Sequence, residues 1–141
     1  MKRNKEFFNG KTWADIFLEL NFEKHLLKLQ KKFKNKKIIL YGAGIMMDYI
    51  AKNYDLGGFN IAAVSDKKFK LKEENKYFGY KAIPPELLPD MQADIILITT
   101  QYPYSMLRYL QKEIFVRAKM PKVYFLLNKP FLLYAEEIFS N

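Results

Sequence analysis

Lys37-Ile38-Ile39-Leu40-Tyr41-Gly42-Ala43-Gly44-Ile45-Met46-Met47 is a short β-branched apolar run that breaks into two glycines and resumes as apolar, helix-compatible residues. A chain turning tightly from strand into helix needs a residue without Cβ at the bend. A second such residue lets a phosphate approach the backbone N–H groups at the positive end of the following helix. The stretch predicts a first strand over Lys37 to Tyr41, a phosphate-sized turn, and a helix from Ile45 to about Asn53.

Downstream, Tyr54-Asp55-Leu56-Gly57-Gly58 carries paired glycines, a stop and turn signal. Phe59 to Asp66 then reads as a second buried strand closing on an acidic residue, which completes a βαβ unit within about 30 residues. Lys67 to Lys76 is polar and basic, a surface loop. The stretch from Gly79 to Leu88 reads as a short edge strand stopped by prolines, with Pro85 in the first turn of a brief helix. Asp94 to Thr100 lacks polar alternation, as expected of a strand covered on both faces. Pro103 opens a helix in which Leu107, Leu110, Ile114 and Ala118 share a face, and Lys122 to Leu126 is a last strand. Leu127-Asn128-Lys129-Pro130 leads into a terminal helix over Phe131 to Phe139.

Upstream, Trp13, Ile16, Phe17 and Leu20 recur at helical spacing, and Phe22, Leu26, Leu29 and Phe33 form a second stripe offset around Asn21. Two short helices or one kinked helix result, with Asn21 as a cap for the second part. The expected organisation is an N-terminal helical extension over 1–35 packed on a domain over 36–141. Its fold class is α/β: a Rossmann-like three-layer domain with a mostly parallel sheet of about five strands and a C-terminal helix. The expected strand order is the Gly79 edge strand, the second strand, the first, the Asp94 strand and the Lys122 strand.

The 141 residues are enough for one core and too few for a dinucleotide domain with a separate catalytic domain. Half are hydrophobic and 16% aromatic, so the chain should fold. No apolar run approaches the roughly 20 residues needed to span a bilayer, and the Lys-rich start lacks a signal-peptide core. The cytoplasm is the expected location. The absence of cysteine removes disulfides, thiolate nucleophiles and Cys-ligated zinc, and the lone His25 leaves no histidine metal site. A net charge of +9 suggests anionic partners, yet only Arg3, Arg108 and Arg117 occur among 24 basic residues. Phosphate and base recognition favours guanidinium, so a solvated Lys-rich surface is expected and nucleic acid is not.

A nucleotide would lie across the carboxyl ends of the strands, which brings together Gly42, Ala43, Gly44, Ile45, Ser65, Asp66, Thr99, Thr100 and Gln101. The glycine turn and the start of the Ile45 helix would receive phosphate, Asp66 would accept from a ribose diol, and Thr99 and Thr100 would line the far wall. The gap of about 20 residues between the glycines and Asp66 is the spacing of the dinucleotide fingerprint. Its third small residue is replaced by Met47, which keeps the helix from sitting as close to the strand as in ordinary NAD-binding domains. Tyr77 and Lys81 have the Tyr-x-x-x-Lys spacing of short-chain dehydrogenases, but Gly79 interrupts the helical turn that this pairing needs, and coincidence explains it. No nucleophile arrangement, paired-carboxylate site or metal-ligand cluster is visible, so no catalytic residue is assigned.

The order Ile-Ile-Leu-Tyr-Gly-Ala-Gly, Ile-Ala-Ala-Val-Ser-Asp, Phe-Gly-Tyr-Lys-Ala-Ile-Pro-Pro-Glu-Leu-Leu and Ala-Asp-Ile-Ile-Leu-Ile-Thr-Thr resembles a known kind of domain. It is similar to the small Rossmann-like domain of bacterial polysaccharide-biosynthesis proteins: the N-terminal domain of nucleotide-sugar dehydratases and epimerases, and that of sugar acetyltransferases. The likeness runs from about Lys36 to Leu126. It implies binding of a nucleotide, such as NAD(P), or a nucleotide-sugar through Gly42, Gly44 and Asp66, or a regulatory and assembly role, with catalysis in another domain. The alternatives are an NAD(P)-dependent sugar oxidoreductase or epimerase subunit needing a partner, and an interaction module that binds no nucleotide. Core packing against the sheet explains most of the apolar Phe131 to Phe139 segment, and its excess over one helix face suggests a homodimer contact or a docking surface for a catalytic domain.

Overall fold

The computed structural model describes residues 12–127. The expected terminal helix over Phe131 to Phe139, and the dimer contact read from it, lie outside the described residues. The elements in chain order are α1 (Trp13–Glu19), α2 (Phe22–Lys32), β1 (Lys37–Tyr41), α3 (Ile45–Asn53), β2 (Asn60–Ser65), β3 (Asn75–Tyr77) and β4 (Tyr80–Ile83). A 3-10 helix (Pro85–Asp90) follows, then β5 (Ile95–Ile98), α4 (Pro103–Tyr109), a π turn (Leu110–Ile114) and β6 (Lys122–Phe125).

The six strands form one sheet in the order β3-β4-β2-β1-β5-β6, parallel except for β3 against β4. The molecule is thus α/β with a mostly parallel sheet. Alternate residues of β1 enter two different cores: Ile38 and Leu40 join one built with α1, α2 and α3, while Ile39 and Tyr41 join another under the 3-10 helix, α4 and the π turn. Burial on both faces is why β1 and β5 read as unbroken apolar runs.

An aromatic cluster holds α1 and α2 to α3. The Phe17 ring packs edge-on to Phe22 at 4.7 Å and stacks on Tyr49 at 5.5 Å, and Phe22 meets Tyr54 at 5.0 Å. Such pairs each contribute about 0.5–1.5 kcal/mol beyond the area they bury. The buried faces of α1 and α2 therefore share a core with α3 and β1.

Four expectations are corrected. The sheet has six strands instead of about five, because Asn75–Tyr77 folds back on β4 as an antiparallel hairpin. The strand starting at Tyr80 is therefore not the edge; the polar three-residue β3 is, and it was too short and too polar to read as a strand. Asn21 sits between the two N-terminal helices but does not cap with its side chain; it adopts a left-handed conformation (φ 51°) and turns the chain. The expected face from Leu107 to Ala118 is cut short because α4 passes into the π turn and the helical segment ends at Ile114, so Ala118 lies beyond it and is exposed.

Candidate functional site at the carboxyl ends of the strands

The strand order reverses direction at β1, whose neighbours are β2 and β5. The segments leaving those three strands meet at one end of the sheet, and hydrogen bonds lock them together. The Gly42 N–H donates to the Ser65 carbonyl at 2.8 Å, and the Thr99 N–H donates to the Tyr41 carbonyl at 2.9 Å. The Thr99 hydroxyl lies 2.6 Å from the Gly42 carbonyl and 3.0 Å from that of Tyr41, so its one proton is donated to the nearer Gly42 carbonyl or shared between the two.

Gly42 is required here. Its φ is +122°, and a Cβ would stand 2.9 Å from Thr99 Oγ1 and 3.3 Å from the Thr99 backbone. Gly44 differs. It is the N-cap of α3 in extended backbone, offers no side-chain cap, and nothing lies within 4 Å of where its Cβ would be. Gly42 thus serves the turn, while Gly44 leaves the helix start open. Gly44 and Ile45 are exposed, and Ala43 is buried beneath them.

Asp66 reaches back to this turn. Its Oδ2 accepts the Ala43 N–H at 2.8 Å, and its Oδ1 accepts the Lys68 N–H at 3.0 Å. The Lys68 ammonium donates to the Ala43 carbonyl, so the Ala43 peptide is held on both sides by the segment after β2. Each carboxylate oxygen retains a second acceptor position, and Asp66 is only partly buried.

All nine residues expected at the site lie at this end of the sheet, in unequal roles. Thr99 is bonded to Gly42, and Asp66 to Ala43. Gly44 and Ile45 stand at the mouth, and Thr100 and Gln101 are half-buried. Thr99 lies behind the wall, 1% exposed, with its hydroxyl engaged by the turn. Ser65 is fully buried, and its Oγ has no hydrogen-bond partner. It is paired in register with Tyr41 and faces the same core.

Several neighbours escaped the sequence. Burial, reinforced by Tyr109, Asp66 and Glu86, pushes the Tyr41 phenol well above its ordinary pKa. The Lys67 ammonium lies 3.8 Å from the centre of the Tyr109 ring. Lys67 and Lys68 looked like any other lysines of a basic loop, and no local pattern separates them. The Tyr77 hydroxyl donates to Asp48 Oδ1 at 2.7 Å, and burial followed by that bond pushes its pKa up. Tyr77 and Lys81 stand on opposite strands of the β3–β4 hairpin, so they form no dehydrogenase pair. His25 is half-buried, with its Nε2 2.8 Å from the Leu126 carbonyl. Among the described residues, no three His, Asp or Glu side chains are grouped to hold a metal ion, and no helix is long and apolar enough to cross a membrane.

No protein-family model, curated protein or solved structure matches the chain.

Proposed function

We propose that the chain is a Rossmann-like domain that binds a nucleotide or nucleotide-sugar in bacterial surface-glycan synthesis, with the chemistry supplied by another domain. The observation that carries the ligand class is the uncapped start of α3, with open space over Gly44, set where the strand order reverses. Helix N–H groups and the helix dipole favour phosphate at such a point. The free acceptor positions of Asp66 suit a ribose diol, and the half-buried Thr100 and Gln101 supply polar atoms nearby, whereas the Ser65 hydroxyl is buried in the core and out of reach. The glycan setting rests on the sequence resemblance.

One observation favours a second reading. The Ala43 N–H is already taken by Asp66, so this amide of the turn is satisfied without any ligand. That suits an interaction module in which the glycines serve the fold.

Gly44→Asp separates these readings without harming the fold, because aspartate is a preferred N-cap residue and its charge would repel phosphate. Thermal shifts of the natural and substituted proteins are compared with NAD, NADP, UDP-sugars, CMP-sugars and coenzyme A. A ligand at about 100 times its Kd stabilises by about 2.7 kcal/mol. Stabilisation by one class, lost in Gly44→Asp, supports nucleotide binding; none at millimolar ligand supports the interaction module.

A further inference from the structure

At the opposite end of the sheet, the amino ends of β5 and β6 open onto a groove of about 710 Å³. That size suits a small-molecule ligand. Its inner surface is apolar, with Leu88, Ile95 and Phe115 beside a ring pair, Phe33 and Tyr124, whose centres are 4.8 Å apart.

The rim is cationic. Lys32 and Lys36 come from the end of α2 and the turn after it, and Lys119 and Lys122 from the loop into β6 and its first residue. The lining holds one carboxylate, Asp94, whose Oδ2 already accepts the Lys37 N–H at 2.7 Å. Among the described residues none of the four ammonium groups is paired with a carboxylate. The Lys32 ammonium lies 4.7 Å from the centre of the Tyr124 ring and 5.5 Å from that of Phe33, which holds it over the aromatic wall. Two of these lysines would be explained by the negative end of the α2 dipole, but Lys119 and Lys122 belong to another part of the chain.

Two backbone irregularities shape the same groove. Gln92 on its lining has φ 53°, a left-handed conformation that a glutamine seldom adopts. The π turn, closed by a 2.8 Å bond from the Phe115 N–H to the Leu110 carbonyl, ends on Phe115 in its wall. Strained residues and π turns concentrate at functional sites. Like charges around one concavity raise its potential and favour an anion there.

We infer that this groove binds an organic anion carrying two or more negative charges on a planar apolar body. The body lies against Phe33 and Tyr124, and the charges reach Lys32, Lys36, Lys119 and Lys122. This site is independent of the glycine turn, which would receive phosphate through backbone N–H groups at the far end of the sheet.

The probe is pyrenetetrasulfonate, a planar fluorescent polyanion, followed by anisotropy at fixed ionic strength. The double variant Lys119→Glu, Lys122→Glu is compared with Lys52→Glu, Lys81→Glu, which changes the net charge equally away from the groove. All four lysines are exposed, and circular dichroism melts check that each variant folds. The groove pair is expected to weaken binding by about tenfold or more, the control pair by less than about twofold, and Gly44→Asp not at all. Inorganic pyrophosphate should compete about tenfold less well than the dye binds, because it has no apolar body. Equal losses in the two lysine pairs, loss in Gly44→Asp alone, pyrophosphate matching the dye, or no binding at millimolar protein would each overturn the inference.

Discussion

Asp66 closes the glycine turn from the neighbouring strand, its Oδ2 accepting the Ala43 N–H at 2.8 Å across 23 positions of sequence. Hydrogen bonds to a charged group contribute about 1.5–3 kcal/mol. Asp66→Ala is expected to lower the unfolding free energy by about 2 kcal/mol, and Asp66→Asn by less, because one carboxamide oxygen can still accept. Urea unfolding gives the magnitude. Faster hydrogen exchange at the Ala43 amide in Asp66→Ala localises it; unchanged exchange there would refute the role.

Gly42 and Gly44 should respond unequally to the same substitution. Gly42→Ala places a Cβ against Thr99 at a φ of +122° and should destabilise by about 2 kcal/mol or more. Gly44→Ala meets no neighbour and should stay within about 1 kcal/mol of the natural protein, since alanine is a poorer cap but restricts the unfolded chain. Thermal denaturation of the two variants side by side checks this. Lost ligand binding in Gly42 variants would not by itself locate a site, because the fold suffers first.

His25 makes stability depend on pH. Burial lowers its pKa from 6.5, Lys28 adds to the effect, and the Leu126 carbonyl opposes it. Below pH 6.5 the unfolded chain takes up a proton that the folded chain resists, so the unfolded state binds more protons and stability falls as the pH drops. Above 6.5 this contribution is fully present. The difference in urea midpoint between about pH 7.5 and about pH 5.5 should shrink in His25→Gln; an identical difference would show that other groups set the slope.

Phe78 occupies the tip of the β3–β4 hairpin with φ 49°, followed by Gly79 at φ 86°. Two positive φ values in a two-residue connection match the twist of the strands and favour Asn-Gly, whereas a bulky residue at the first position is strained. Phe78 is 46% exposed, and its ring packs on Tyr77 at 4.9 Å. Phe78→Asn is expected to stabilise the protein by about 0.5–1 kcal/mol, read as a higher Tm. A lower Tm would mean that the ring contact outweighs the strain.

Much of the fold was legible because its signals are local. Ile38 to Tyr41 could only be a strand buried on both faces, and the order of the five strands expected from it was recovered, since right-handed crossovers leave few arrangements. The end of α4 was not legible. Leu107, Leu110 and Ile114 keep an α-helical spacing, and the π turn that interrupts them is set by how Leu110 and Phe115 pack under the sheet. The hairpin strand β3 was hidden for a similar reason: Asn75-Lys76-Tyr77 has no strand pattern of its own and is a strand only because β4 presents an open edge.

The candidate site divides in the same way. That Gly42 and Gly44 follow β1 and that Asp66 follows β2 was readable along the chain, because glycine conformation and apolar patterning act over a few residues. Folding was needed to set Gly42 against Thr99, to leave Gly44 open, to bring Asp66 to the Ala43 amide, and to ring a groove at the far end with Lys32, Lys36, Lys119 and Lys122. Hydrogen bonds and electrostatics depend on distances of a few ångströms between residues far apart in the chain. No spacing along the sequence encodes those distances until the sheet has brought the residues together.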